Sequence, residues 1–366
     1  MAKKKPARVA VVRCDTHAYW FGVFMDECDP LVLAKFSPDA PTRENVHNYF
    51  KLVGDPKTLK IERVPGMVIT KVFDRIPENG FDKKGLPKLQ YGTYPGRANA
   101  FSETFLSRPK VCDTIEEAAT DVDAGYIADS SSPGDGADHL ELARPFLERG
   151  IPCFVDKPFA STLADAEEMI RLAKKNKTVL MNASILAHTD VGKFFRRRFD
   201  EIGDVGLLVA KGVGPWNSGL VHGLALAQGL VGYGVEWVEC IGSIPQECIL
   251  LHYPNGLEAF VLSAPSTVFP RSCSFYCSAF SKEGAIHSPP IGDPEFHTGT
   301  RRIVELFKQM IETGKPPVPY EQILEPIAII EAARAAQKEG HRVFLRDVYD
   351  PSEAKRGASR YWQVHK

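Results

Sequence analysis

A strand-like run, Phe154-Val155, ends in Asp156-Lys157-Pro158-Phe159-Ala160, and a helical pattern follows. A lysine at the carboxyl end of a parallel strand sits in the crevice where such folds bind ligands, so Lys157 is placed to polarise a substrate oxygen. His222 stands in an uncharged run over 218–235. An unperturbed imidazole titrates near neutrality, which suits a general base. Nearer the start, Arg13-Cys14-Asp15-Thr16-His17-Ala18 separates a strand candidate from a helical stretch. Loops in this position cradle phosphates, usually with glycines, and here Arg13, Asp15 and Ala18 take the three glycine positions. Asp15 facing a pyrophosphate would repel it; the conflict disappears if Asp15 caps the helix, Thr16 or His17 donates, and Arg13 pairs with phosphate. Asp74-Arg75 close the second strand candidate. Asp74 suits the hydroxyls of an adenosine ribose and Arg75 suits a 2′-phosphate, which leaves NAD and NADP both open.

These residues need a frame. In the first 185 residues, short apolar runs alternate with helical patterns, the signature of βαβ units and a parallel sheet. The strand candidates are Val9–Val12, Met67–Phe73, Gly125–Ala128, Cys153–Asp156 and Thr178–Met181, each apolar enough to be buried on both faces. Thr162 followed by Asp165 opens a helix whose stripe is Leu163, Ala166, Ile170 and Ala173, with Lys174 and Lys175 in its last turn. Beyond about residue 200 the runs resemble a largely antiparallel sheet: Gly206–Gly212, Val235–Ile241, Cys248–Tyr253, Leu257–Ser263 and Ser272–Ala279. Two helices return, Thr300–Thr313 and Glu321–Glu339, the second with the stripe Ile323, Ile327, Ile330 and Ala333.

With 366 residues, the chain has room for two domains or one large one. It is 44% hydrophobic and 25% charged, which excludes a disordered or collagen-like chain. Forty-five basic residues against 46 acidic ones leave a net charge of -1, so no global field draws it to nucleic acid or anionic lipid. The expected ligand is a small molecule. Eight cysteines without a Cys-x-x-Cys pair point to a reducing compartment. Cys273 and Cys277 read as packed thiols, and no His-x-x-x-His spacing occurs, so no metal is expected. Met1–Pro6 carries the charge of a signal peptide without its apolar stretch, which fits a cytoplasmic protein.

Four stretches, in order, resemble the glucose–fructose oxidoreductase / inositol dehydrogenase / rhizopine-catabolism (Gfo/Idh/MocA) family of nicotinamide-dependent oxidoreductases. They are Asp123-Ala124-Gly125-Tyr126-Ile127-Ala128 leading to Pro133 and His139; Asp156-Lys157-Pro158; His222 after Trp216; and the tail from Glu321 to Leu345. The resemblance implies a Rossmann-type dinucleotide-binding domain over 1–158. An α+β domain with a large open sheet follows over 159–366, its C-terminal helix and tail returning to the first domain. The free face of that sheet would join copies into a homodimer or homotetramer. Substrates would be sugars, polyols or their derivatives, with Lys157 polarising the carbinol oxygen and His222 as base. Ser130, Ser131, Pro133 and His139 would cradle the nicotinamide half with Asp156, Lys157 and Pro158, and Asn182, Trp216, Asn217 and Ser218 would face substrate beside His222.

The chain departs from that plan in places. Asp74 follows the phosphate loop by about 60 residues rather than ~20. Residues 29–65 therefore read as an insertion at the amino edge of the sheet, and 78–97, with Tyr91 and Tyr94, as a second one near the ligand mouth. In the inositol dehydrogenase branch an Asp stands four residues before the histidine and another acid three after it, where this chain has Ser218 and Ala225. His222 is then held by Ser218 or a backbone carbonyl, which makes a weaker base. These departures keep two rival readings open: a ligand-sensing protein without the chemistry, and a sugar lyase or isomerase working through transient oxidation by bound NAD.

Overall fold

The computed structural model describes residues 5–14, 16–35, 61–75, 96–128, 138–212, 220–243, 246–263 and 274–349. They fall into two compact units, the first drawn from 1–160, 168–183 and 300–318 and the second from the remainder.

The first unit is built on a six-stranded sheet of β1 (Ala7–Val12), β2 (Met67–Phe73), β3 (Lys110–Val111), β4 (Ala124–Ile127), β5 (Cys153–Val155) and β6 (Leu180–Met181). The strand order is β3-β2-β1-β4-β5-β6 and every pairing is parallel. That is the doubly wound order, with β1 and β4 flanking the point where the winding reverses. Val9 to Val12 have no exposed surface, as a central strand covered on both faces requires. Register then aligns the strand ends. Val12 pairs with Phe73 on one side and Ile127 on the other, and Ile127 with Val155, so the residues that follow emerge along one edge.

Helices α1 (Thr16–Met25), α2 (Pro30–Lys35), α3 (Arg97–Thr104), α4 (Ile115–Ala118) and α5 (His139–Glu148) connect these strands. Next comes α6 (Leu163–Lys175), which opens as its sequence requires: Thr162 Oγ1 accepts from the Asp165 amide at 3.2 Å. Its stripe Leu163, Ala166, Ile170 and Ala173 is buried. Of the insertion expected over 29–65, α2 and residues 61–65 are described. Residues 36–60, and all of 78–97 except its last two, lie outside the described residues.

In the second unit, β7 (Leu207–Lys211), β8 (Trp237–Ser243), β9 (Gln246–His252), β10 (Glu258–Ser263), β11 (Tyr276–Phe280), β12 (Ala285–His287) and β13 (Val343–Phe344) form a seven-stranded sheet. Its order is β12-β11-β7-β10-β9-β8-β13, with β7 and β10 parallel and the other neighbours antiparallel. After α7 (Asp190–Arg197) comes α8 (Val221–Val231), which packs on β7 and β10. Helix α9 (Asp293–Thr313), whose residues from Thr300 onward belong to the first unit, precedes α10 (Tyr320–Glu339), which packs on β8 and buries Ile323, Ile327, Ile330 and Ala333; α11 (Leu345–Val348) follows β13.

The sequence shows α8 only as a buried, uncharged run. Buried residues lie on almost every side of it, so no stripe with a helical period stands out. The two-residue strands β3 and β13 are too short for any periodicity. Among the described residues no helix is long and apolar enough to cross a membrane.

Candidate active site

At the carboxyl edge of the parallel sheet, the ends of β1, β2, β4 and β5 are stitched together by backbone hydrogen bonds. The amide of Arg13 donates to Phe73 O (2.7 Å), that of Ala128 to Val12 O (2.9 Å) and that of Asp156 to Ile127 O (3.0 Å). Arg13, at the first glycine position, has φ 75°. That left-handed backbone costs a non-glycine residue roughly 1–2 kcal/mol. Charge offsets the strain: the buried Arg13 guanidinium lies 3.6 Å from Asp74 and 3.4 Å from Asp138. Asp74 is also gripped by Arg97, whose Nε and Nη2 donate to its two carboxylate oxygens at 2.8 and 3.1 Å, and by the Cys14 amide at 3.2 Å. Arg97 is buried, so this is a fork-to-fork pair withdrawn from water. Removing one partner of such a pair costs about 3–5 kcal/mol, whereas an exposed pair contributes roughly 0.2–1 kcal/mol. The exposed case is the neighbouring Arg75, whose Nη2 meets Glu141 at 2.6 Å.

The end of β5 is braced from two sides. Asp156, buried, lies 2.5 Å from His17 Nδ1, accepts from the Tyr126 hydroxyl at 3.4 Å, and receives the Lys157 amide at 2.7 Å. The His17 ring stacks on Trp20 with centroids 5.0 Å apart. Asn182 Nδ2 donates to the carbonyls of Val155 (3.0 Å) and Asp156 (2.9 Å). Lys157, only 5% exposed, follows from this clamp, and its bond to Pro158 is cis. His139 Nδ1 lies 3.1 Å from Phe159 O, tying the start of α5 to the segment after Pro158. His17, Asp156 and Asn182 are thus brought together, holding one another and the backbone that carries Lys157.

In the second unit, His222 sits in the first turn of α8. Its Nδ1 lies 2.9 Å from Ser184 Oγ, and its ring stands edge-on to Phe275 at 5.7 Å. The adjacent Gly223 permits this placement, because a Cβ there would come within 2.9 Å of Val261 Cγ1 on β10. Helix and strand therefore approach more closely than a side chain would allow.

Asp15, Ser130, Ser131, Pro133, Trp216, Asn217 and Ser218 lie outside the described residues. Sequence reading missed Arg97, Asp138, Tyr126 and Ser184. Arg97 and Ser184 sit in no recognisable motif; Asp138 is legible only as the residue before α5, where its side chain turns to Arg13 and does not cap the helix.

The donor set suits a phosphorylated, hydroxyl-bearing ligand. The first turn of α1 has no acidic residue, and Arg13 stands beside its start, which fits a pyrophosphate. Asp138 Oδ1 is a buried acceptor and Arg75 Nε a buried donor, each without a hydrogen-bond partner among the described residues. A cavity of about 830 Å³ lined by Lys5, Arg8, Asp123 and Lys308 lies instead at the amino end of β1, away from this edge.

Strand order and edge chemistry define the class: a Rossmann-type dinucleotide-binding chain with a second, α+β unit. Residues 91–184 match the model of an oxidoreductase family with an NAD-binding Rossmann fold. That family is Gfo/Idh/MocA, and the matched stretch contains Asp156-Lys157-Pro158. A segment of 136 residues is 36% identical to scyllo-inositol 2-dehydrogenase (NADP(+)) IolU of Bacillus subtilis (strain 168), spanning 37% of this chain and 40% of that protein. The fold is shared with myo-inositol dehydrogenase from Lactobacillus casei, solved with NAD(H) and myo-inositol (TM-score 0.64, 15% identity, 95% of this chain and 99% of that one). It is shared equally with apo scyllo-inositol dehydrogenase from the same organism (TM-score 0.65, 11% identity, 93% and 98%).

Proposed function

We propose that this chain is an NAD(P)-dependent oxidoreductase acting on a hydroxyl of a polyol, sugar or related carbohydrate derivative. One observation carries the reading: buried Lys157 stands at the carboxyl end of a parallel strand, directly after Asp156, which is clamped by His17 and Asn182. A group that polarises a reacting oxygen must hold its position to within a fraction of an ångström, and this clamp supplies that rigidity.

The dinucleotide, when bound, supplies the hydride acceptor. Arg13 and the start of α1 would hold its pyrophosphate, and His139, Ser130, Ser131 and Pro133 would serve the nicotinamide half. The Lys157 ammonium donates a hydrogen bond to the carbinol oxygen and stabilises the negative charge that develops there. His222 accepts the hydroxyl proton while the C–H hydrogen leaves with its electron pair, so the alcohol becomes a ketone. Ser184, 2.9 Å from His222 Nδ1, orients the imidazole. Trp216, Asn217 and Ser218 precede His222 as substrate contacts.

The inositol dehydrogenases among its relatives support a polyol substrate, so scyllo- and myo-inositol head a panel of polyols and sugars incubated with NAD+ or NADP+. Accumulating reduced cofactor is the expected readout, and Lys157→Met should abolish it while dinucleotide binding persists. No turnover with any member of the panel would favour the ligand-sensing reading. Product without reduced cofactor would favour the lyase or isomerase. A second copy of the chain is the proposed occupant of the open sheet face in the second unit, giving a homodimer or homotetramer in the cytoplasm.

A further inference from the structure

The corner where β2 ends beside α3 and α5 holds its two charged residues unequally. Asp74 is locked: Arg97 takes both carboxylate oxygens, the Cys14 amide adds a third donor, and the Arg13 guanidinium stands 3.6 Å away. Arg75, the next residue, is held across an exposed contact to Glu141, and its Nε is buried without a hydrogen-bond partner among the described residues. Resting on the function proposed above, we infer that this corner selects NADP over NAD, with Arg75 binding the 2′-phosphate and Asp74 withdrawn from ribose recognition.

The argument is one of exchange. To accept from a ribose hydroxyl, as the acid after the second strand does in NAD sites, Asp74 would have to loosen a buried bidentate pair and leave Arg97 with an uncompensated charge. One neutral hydroxyl does not repay that. A 2′-phosphate asks for a cheaper exchange, since it displaces only the exposed Glu141 carboxylate. Its three oxygens match the guanidinium fork, including the unpartnered Nε. The usual objection, repulsion between the phosphate and the strand-end acid, is met by Arg97 and Arg13, which already neutralise Asp74.

The test is titration calorimetry on the full chain with NADP+ and NAD+, and with 2′,5′-ADP and 5′-AMP as fragments that isolate the phosphate. NADP+ should bind at least about tenfold tighter than NAD+, and 2′,5′-ADP exceed 5′-AMP by a similar factor. Arg75→Ala should collapse both ratios to within about twofold by weakening only the phosphorylated ligands, and Arg75→Lys should retain part of the preference. Arg75 is partly exposed, so an unchanged thermal midpoint checks that the variant folds. NAD+ binding as tightly as NADP+, or Arg75→Ala weakening all four ligands alike, overturns the inference and leaves the proposed function standing. Failure of both dinucleotides to bind overturns both.

Discussion

The hydroxyl of Ser184 lies 2.9 Å from Nδ1 of His222, a partner other than the Ser218 or backbone carbonyl that the sequence suggests. The two residues are 38 apart in sequence, and both belong to the second unit. A neutral hydroxyl fixes the ring and selects a tautomer but adds no charge to stabilise an imidazolium. Ser184→Ala should therefore lower kcat by about tenfold, the worth of one hydrogen bond, with KM nearly unchanged. Ser184→Thr should restore most of the rate. Steady-state kinetics with the best substrate of the panel decides; equal losses in kcat for Ala and Thr would mean that Ser184 serves packing alone.

His17 and Asp156 join the start of α1 to the end of β5 through a buried contact of 2.5 Å. Substituting one partner strands the other away from water. Asp156→Asn keeps the shape and the Lys157 amide contact but loses the charge, and should destabilise the first unit by about 3 kcal/mol in urea unfolding. The double variant with His17→Gln should recover part of that loss, because no stranded group remains. A change below about 0.5 kcal/mol in Asp156→Asn would show that the clamp does not depend on charge.

These two contacts show where sequence reading ran out. Met67–Phe73 is the observed β2 to the residue, and the clustering of Arg13, Asp74 and Asp156 at one edge follows from strands whose type and direction are legible in their composition. What those side chains do there was not legible. Asp74 reads as a ribose acceptor until Arg97 is seen on it, and Arg97 comes from a helix start 23 residues away with no pattern to announce it. His17 reads as a phosphate donor, and Asp156 as the acid of a motif. Their mutual contact depends on a crossing of the sheet that no local spacing encodes. Ser184 follows the last parallel strand in an unremarkable run, so only the tertiary structure connects it with His222.

The open face of the second sheet carries a lateral row in which Phe260 is paired with Val209 on one side and Leu250 on the other, all three half-exposed. Ile241, on β8, is 65% exposed. An apolar surface of this kind on a sheet is covered in a stable protein, and a second copy of the chain is the proposed cover. Leu250→Glu places a charge in the centre of the row. Light scattering coupled to size exclusion should show a dimer or tetramer for the parent chain and a monomer for the variant. A monomeric parent would remove the sheet face from the account.

Glu331 on α10 gives the second unit a pH dependence of definite sign. Its Oε1 accepts from the Leu163 amide at 2.8 Å, while Oε2 is buried without a hydrogen-bond partner among the described residues. Burial pushes the carboxyl up from 4.5 to about 7, with Asp165 and Glu167 adding to the rise and Arg334 and the Leu163 amide opposing it. Because the folded state holds this proton more tightly than the unfolded chain, the contribution is most favourable below about pH 4.5 and is lost as pH rises through 7. Above that range the ionised form is forced into a buried position, at a cost of up to roughly 3 kcal/mol. Glu331→Gln keeps the acceptor for Leu163 and removes the charge. Its thermal midpoint should exceed that of the parent at pH 8, and the difference should vanish near pH 4, where both side chains are neutral. Melting curves across that range, followed by circular dichroism, test the sign directly: a variant less stable than the parent at pH 8 would mean that the ionised carboxylate is held by its neighbours more strongly than burial opposes it.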